Sequence, residues 1–340
     1  MGGPVPDRLK LALVGCGAIS KMHVMGIRAA ARRTAVAAVV DVDHERAEGL
    51  ARETGGAVFT SLDEALARGD FEAVDLMLPH QLHESAALAA FAAGKHVLLE
   101  KPMATNPDAC ARILAAARKA GTVFMVGENA QYWPEVIRAH ELIASGTIGD
   151  VVTARACIFF PPLAAYYGGE QPWRLRRDAA GGGVAIDTGS HWLRPLHLWL
   201  GELDEVVAAL GRPFARMEGE SLVRALLRFR SGRIASFDAL LSEAPLAPEL
   251  LFRITGAAGE ITIDGLGRTL LYDAEHRKGV PIGEPGGYMQ SYAGEMADFE
   301  AAVLDGKPLA AGPEASLGEL RAALAMVRSA ETGRWEKVWE

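Results

Sequence analysis

Two groups of residues in this chain of 340 residues have types and spacing suited to proton transfer. The first is Lys101. It follows the apolar run 96–99 and Glu100, and Pro102 comes directly after it. A short apolar run closed by a breaker reads as a buried parallel strand. Lys101 then lies at that strand's carboxyl end, where open α/β sheets bind their ligands. The second group is Asp187 and His191, four residues apart and just beyond the glycines 181–183. If the chain is helical from residue 186 onward, the two share a face. An aspartate beside a histidine fixes its tautomer and favours its charged form, which suits a proton-transfer group. The same pair also reads as a helix cap and a histidine packed under Trp192. Three successive glycines mark a close backbone approach or a flexible loop.

A third group would hold a cofactor. The apolar run 9–14 leads straight into Gly15-Cys16-Gly17-Ala18-Ile19-Ser20, and a helical stretch over 18–31 follows. Strand, glycine turn and helix in that order form the dinucleotide fingerprint. Gly15 permits the tight turn, and Gly17 lets backbone approach a pyrophosphate seated on the helix N-terminus at Ala18 and Ile19. Ser20 replaces the third glycine and is still small. Asp41 closes the next strand, 36–40, about 20 residues beyond the loop, where an acid bonds ribose hydroxyls and repels a 2′-phosphate. NAD is therefore expected over NADP. Asp43 suits the cap of a helix from residue 44.

The elements that must position these groups follow an alternating pattern. Strands at 57–59, 74–78, 96–99 and 123–126 are separated by helices at 61–68, 84–93 and 107–120. Alternation of this kind implies a doubly wound parallel sheet, a Rossmann domain over residues 1–127. After Gly127 the character changes. A helix at 134–144 precedes strands at 151–159, 203–210, 222–230, 233–241, 250–256, 260–263 and 269–272, and helices at 291–304 and 316–331 close the chain. Successive strands with tight turns imply an α+β second domain, 128–340, on an open and mostly antiparallel sheet. The fold class is α/β.

Composition narrows the function. Half the residues are hydrophobic and the net charge is −8, so a large core is expected and a nucleic-acid partner is not. No apolar run reaches the length of about 18 residues needed for a membrane span. Residues 1–7 are rich in glycine and proline and lack a signal core. Cys16, Cys110 and Cys157 are odd in number and scattered, which fits a reducing cytoplasm and shows no metal-ligand spacing.

Together, the glycine loop with His23, the segment Pro79-His80-Gln81-Leu82-His83, Glu100-Lys101-Pro102, the 181–191 stretch and the closing 329–334 segment resemble the Gfo/Idh/MocA family of NAD(P)-dependent oxidoreductases. The resemblance covers nearly the whole chain. It implies that Lys101, Asp187 and His191 match catalytic positions and that Leu78, Pro79, His80, His83, Glu100 and Lys101 line the nicotinamide. It also implies a sugar or cyclitol substrate, and a homo-oligomer, dimer or tetramer, formed through the C-terminal sheet. On this reading His191 is the base, Asp187 orients it, and Lys101 polarises the substrate oxygen. Gln131, Tyr132, Trp173 and Arg174 are expected to reach the substrate together with Lys101, Asp187 and His191. Two segments depart from the family pattern. The nicotinamide loop reads Leu-Pro-His-Gln-Leu-His, and where many members carry Arg-Arg-Phe before a proline this chain has Glu128-Asn129-Ala130-Gln131-Tyr132-Trp133-Pro134, which disfavours a phosphorylated or carboxylated substrate. The 161–177 segment, with Tyr166-Tyr167-Gly168-Gly169, reads as a mobile cover for the site or as an arm to a neighbouring subunit. Two rival readings are a reductase of a planar apolar substrate (dihydrodiol, imine or tetrapyrrole) and a non-catalytic NAD- or sugar-binding regulator.

Overall fold

The computed structural model describes residues 7–168 and 172–340. Residues 1–6 of the glycine- and proline-rich start, and Gly169 of the expected mobile loop, lie outside the described residues. The chain divides into two compact units: Met1–Glu128 with Tyr292–Leu317, and Asn129–Ser291 with Gly318–Glu340.

The first unit alternates strand and helix. Its strands are β1 (Leu9–Val14), β2 (Thr34–Val40), β3 (Ala57–Phe59), β4 (Ala73–Leu76), β5 (His96–Glu100) and β6 (Phe124–Gly127). Its helices are α1 (Ser20–Ala29), α2 (His44–Thr54), α3 (Leu62–Arg68), α4 (His83–Ala92) and α5 (Pro107–Ala120). The strands pair in parallel in the order β3-β2-β1-β4-β5-β6. β1, β4 and β5 are Val/Leu/Ala-rich and almost wholly buried, as expected of strands covered on both faces. Helix starts follow capping chemistry. Asp43 Oδ1 accepts the N–H groups of Glu45 and Arg46, Ser61 accepts that of Glu64, and Asn106 accepts that of Ala109 ahead of Pro107. Strand order reverses between β1 and β4, and this switch point opens a crevice beyond the carboxyl ends of those strands.

The second unit holds α6 (Pro134–Ala144), β7 (Val151–Phe160) and four helices: α7 (Ala164–Tyr167), α8 (Arg177–Ala180), α9 (Val184–Asp187) and α10 (Ser190–Leu200). The strands β8 (Leu203–Gly211), β9 (Leu222–Phe229), β10 (Ile234–Leu241), β11 (Leu250–Gly256), β12 (Glu260–Asp264), β13 (Thr269–Tyr272) and β14 (Val280–Pro281) follow. Helices α11 (Tyr288–Asp305) and α12 (Glu314–Thr332) and the short β15 (Glu336–Lys337) close the chain. The sheet runs β14-β13-β12-β11-β7-β10-β9-β8-β15; β7 and β10 are parallel and the other neighbours antiparallel. β9 and β10 alternate buried with more exposed positions, the signature of a sheet with one covered face. On the covered side Trp133, Trp192, Trp199 and Phe252 pack ring to ring, with Trp133 edge-on to Trp192 at 5.3 Å between centroids. No helix among the described residues is long and apolar enough to cross a membrane.

A single boundary after residue 127 does not describe this chain. The segment Tyr292–Leu317, assigned to the second domain by the sequence reading, belongs to the first unit. The reason is local packing. A Cβ on Gly26 of α1 would lie 2.4 Å from the Tyr292 carbonyl oxygen, so helix and backbone touch. Glu300 accepts the Arg33 N–H at 2.8 Å and the Thr34 hydroxyl at 2.7 Å, and Asp305 pairs with Arg33 at 2.6 Å.

Candidate active site

The glycine turn is built for close approach. Gly15 has φ +96, and a Cβ there would lie 2.3 Å from the Met77 carbonyl oxygen at the end of β4, so only glycine fits. A Cβ on Gly17, by contrast, would meet nothing within 4 Å. That open space lies over the loop leading to the α1 N-terminus, as a pyrophosphate requires. Ser20 donates its hydroxyl to the Gly17 carbonyl at 2.8 Å and tightens the loop where a third glycine would stand. Asp41 does more than the sequence reading assigned. Its Oδ2 accepts the Cys16 N–H at 2.7 Å and its Oδ1 accepts the Asp43 N–H at 2.8 Å. The carboxylate therefore fixes the glycine loop. Arg46, the cation nearest in sequence, pairs with Asp43 at 3.1 Å. Burial and the Asp41 carboxylate push the Cys16 thiol up to about 12. Asp41→Ala is expected to weaken NAD binding about 10–100-fold, the loss of charged hydrogen bonds of about 1.5–3 kcal/mol, and to relax discrimination against NADP. Fluorescence titration with both cofactors measures this.

Lys101 is buried at the end of β5, and its peptide to Pro102 is cis. Its backbone N–H donates to Glu100 Oε2 at 3.0 Å. Glu100 Oε1 lies 2.9 Å from His23 Nε2, and His23 Nδ1 lies 2.8 Å from Asp75 Oδ2. The His83 ring is engaged on both sides by backbone carbonyls. It is buried, with ring nitrogens 2.8 Å from the Pro102 carbonyl and 2.9 Å from the Leu78 carbonyl. It thus brackets the two loops that carry Leu78 and Lys101, and burial keeps it down as a base.

Burial opposes the charge on His23, but Asp75 and Glu100 outweigh it and raise the ring well above the usual histidine range. Burial raises Glu295 well above the ordinary carboxyl range and raises Asp75 as well. Folding therefore takes up protons here. The stabilisation is complete below the unfolded values and is lost as pH rises through the folded ones. The folded chain is expected to lose stability as pH rises above the ordinary carboxyl range for Glu295 and Asp75, and above the ordinary histidine range for His23, with a slope of up to about 1.4 kcal/mol per pH unit for each group over its own interval. Urea midpoints measured from pH 5 to 9 test this, and Glu295→Gln should flatten the curve.

In the second unit the three glycines bring a turn against the 219–220 backbone. A Cβ on Gly183 would lie 2.0 Å from the Glu220 carbonyl oxygen. The Glu220 side chain accepts the N–H groups of Gly183 at 3.2 Å and Ala185 at 3.1 Å, and so caps α9. α9 ends at Asp187, and α10 begins at Ser190. Asp187 and His191 thus do not share one continuous helix, because the chain turns at Thr188 and Gly189. Asp187 Oδ2 accepts the Tyr167 hydroxyl at 2.8 Å, and Asp187 Oδ1 lies 3.4 Å from Arg174 Nε. Tyr167 is buried in α7, and burial with the adjacent Asp187 raises its phenol strongly. Arg174 is held over the rings of Trp173 at 4.2 Å and Tyr166 at 5.2 Å. His191 is buried beside Trp133 and Trp192, and Tyr288, at the start of α11, stands edge-on to its ring at 5.9 Å. Gln131, expected at the substrate, accepts from Arg194 Nη1 at 2.6 Å, and Arg194 also pairs with Glu319. Tyr132 ends the short 3₁₀ turn Asn129–Tyr132, which also carries Gln131, and is half-buried.

The expected residues thus fall into two sets. Gly15, Gly17, Ala18, Ile19, Asp41, Leu78, Pro79, His80, His83, Glu100 and Lys101 belong to the first unit, while Gln131, Tyr132, Trp173, Arg174, Asp187 and His191 belong to the second. Asp75, Glu295, Glu220 and Tyr288 escaped the sequence reading. Buried acids inside apolar runs, such as Asp75 in Val74-Asp75-Leu76, were the available signal.

A Rossmann sheet with a glycine turn, an acid closing β2 and a buried lysine closing β5 defines a nicotinamide-dependent oxidoreductase. The chain belongs to the Gfo/Idh/MocA family. Residues 9–128 match the oxidoreductase family with an NAD-binding Rossmann fold, and residues 136–262 match the GFO/IDH/MocA C-terminal domain. It is similar to 1,5-anhydro-D-fructose reductase of Ensifer adhaerens, at 32% identity over 95% of this chain and 96% of that protein. It is also similar to inositol 2-dehydrogenase/D-chiro-inositol 3-dehydrogenase of Lacticaseibacillus casei, at 26% identity over 92% and 89%. Among solved structures, an oxidoreductase domain protein from Kribbella flavida superposes with a TM-score of 0.87 at 25% identity, covering 98% of this chain and all of that one.

Proposed function

We propose that this protein transfers a hydride between NAD and a ring hydroxyl, or the matching ketone, of a small sugar or cyclitol. The observation that carries the reading is Lys101, buried at the carboxyl end of β5 with its backbone fixed by Glu100, on the same carboxyl edge of the parallel sheet as the glycine turn that follows β1. The relatives named for reduction of 1,5-anhydro-D-fructose and dehydrogenation of inositols support the substrate class. The nicotinamide supplies the hydride chemistry. His191 takes the hydroxyl proton as general base, and Asp187 is the acid held ready to support it. Lys101 donates to the substrate oxygen and stabilises its developing negative charge. The glycine turn, Asp41 and the loop from Leu78 to His80 hold the dinucleotide. Tyr288 and Trp173 offer aromatic faces for the apolar side of a sugar ring.

Exposed Val152, Ile234 and Leu226 on the adjacent strands β7, β10 and β9 support a homo-oligomer formed through this sheet, to be checked by light scattering. The three free thiols support a reducing, cytoplasmic location. The deciding experiment is a turnover screen: NADH and NADPH with 1,5-anhydro-D-fructose, and NAD with inositols and aldoses, against aromatic dihydrodiols. Turnover of the polyols supports the reading. Turnover of dihydrodiols alone, or of nothing, overturns it.

A further inference from the structure

The cluster behind Lys101 holds more charge than packing needs. His23, Asp75 and Glu295 are fully buried and Glu100 nearly so. Buried ionisable groups are costly, so their arrangement calls for a reason. Both ring nitrogens of His23 face carboxylate oxygens: Nδ1 at 2.8 Å from Asp75 Oδ2, and Nε2 at 2.9 Å from Glu100 Oε1. A neutral imidazole donates from one nitrogen only. Its other nitrogen would then set a lone pair against a carboxylate. The geometry therefore asks for a proton on each nitrogen. The second oxygen of Glu100 accepts the Lys101 backbone N–H at 3.0 Å. One line of contacts thus runs from α1 through the ring to the residue that closes β5.

We propose that His23 is a positioning residue for Lys101: a doubly protonated ring, clamped between Asp75 and Glu100, that holds the Glu100 carboxylate on the Lys101 amide. This rests on the role given to Lys101 above. His23 touches neither substrate nor cofactor in this scheme. It acts through Glu100, which orients the backbone from which the lysine side chain springs.

The groups facing His23 from each neighbouring element fit a single cation. Asp75 comes from β4 and Glu100 from β5. From α11 come the Tyr292 ring, 5.4 Å away between centroids, and Glu295, with Oε1 3.9 Å from Nε2. Neither Glu295 oxygen has a hydrogen-bond partner. An ionised carboxylate could not stay so placed, with Glu128, Glu100 and Asp75 as further acidic neighbours. Glu295 is therefore the neutral member, and the cluster is one imidazolium between two carboxylates. Raising the pH until the ring loses a proton breaks the clamp.

The test uses the full chain, labelled with ¹⁵N in its histidine rings, with the His23 signals assigned by their loss in His23→Gln. Both His23 nitrogens should carry protons at pH 8. In Glu100→Gln the side-chain amide can donate to Nε2 and still accept from Lys101, so the ring should become the neutral Nδ1–H form. A neutral ring in the unmodified protein at pH 7 overturns the proposal, whatever becomes of any variant. In folded His23→Gln, amide exchange at Lys101 should rise at least 10-fold while that of Leu98 and Leu99 in the same strand holds. An unchanged Lys101 amide also overturns it. With a polyol substrate, kcat should fall 10-fold or more in His23→Gln with the KM for NAD within 3-fold, whereas a merely structural role would lower stability and spare kcat. If no polyol is turned over, the proposed reaction fails, but the ring and amide measurements still decide the clamp.

Discussion

His191→Asn and Lys101→Met are each expected to lower kcat by about 10²–10⁴, the span typical of positioned acid–base groups. The dissociation constant for NAD should change little, because the proposed pyrophosphate and ribose contacts come from the glycine turn and Asp41. The two variants fail differently. Asparagine at 191 keeps a polar side chain beside Trp133, Trp192 and Tyr288 but cannot take up a proton at neutral pH. Methionine at 101 keeps the buried stem and removes the ammonium, so the substrate oxygen loses its donor as negative charge develops. Steady-state rates and cofactor titration separate these effects from loss of fold. If His191→Asn turned over near the unmodified rate, the base would have to be another group, with the phenol of Tyr167 on Asp187 the first to examine.

What the sequence revealed and what it concealed follow from the range of the interactions involved. The Rossmann strands were legible because burial on both faces writes a continuous apolar run, as in Val97-Leu98-Leu99, and helix starts were legible from capping residues such as Asp43 and Asn106. Lys101 was legible because a breaker follows it. The return of Tyr292–Leu317 to the first unit was not, since it depends on contacts such as Arg33 with Asp305, separated by most of the chain. The break between α9 and α10 was not legible, since the spacing of Asp187 and His191 alone cannot show where a helix is interrupted. The Gln131 hydrogen bond was not legible because its partner, Arg194, is 63 positions away. Glu220 and Asp75 were invisible for the same reason: their significance lies in the backbone or ring that they meet.

Arg194 is the residue whose loss should cost the most stability. Its side chain is almost fully buried, paired with Glu319 of α12 and donating to Gln131 in the turn before α6. Removing one member of a buried pair leaves an uncompensated charge, at a cost of about 3–5 kcal/mol. Arg194→Leu is thus expected to lower the unfolding free energy by that amount, enough to leave much of the chain unfolded at 37 °C if the total lies near the lower end of the usual range, about 5 kcal/mol. The paired change Arg194→Leu with Glu319→Leu should recover most of the loss, because two apolar groups of similar volume replace both charges. Gln131 then loses its donor, so a residual deficit of about 1–3 kcal/mol should persist and shrink on adding Gln131→Leu. α10 carries both Arg194 and His191, so the same series reads out function. If the pair only stabilises the fold, the double variant regains normal kcat. If it also sets the angle of α10, stability returns while kcat stays low, a split that urea titration and steady-state rates on the same samples resolve.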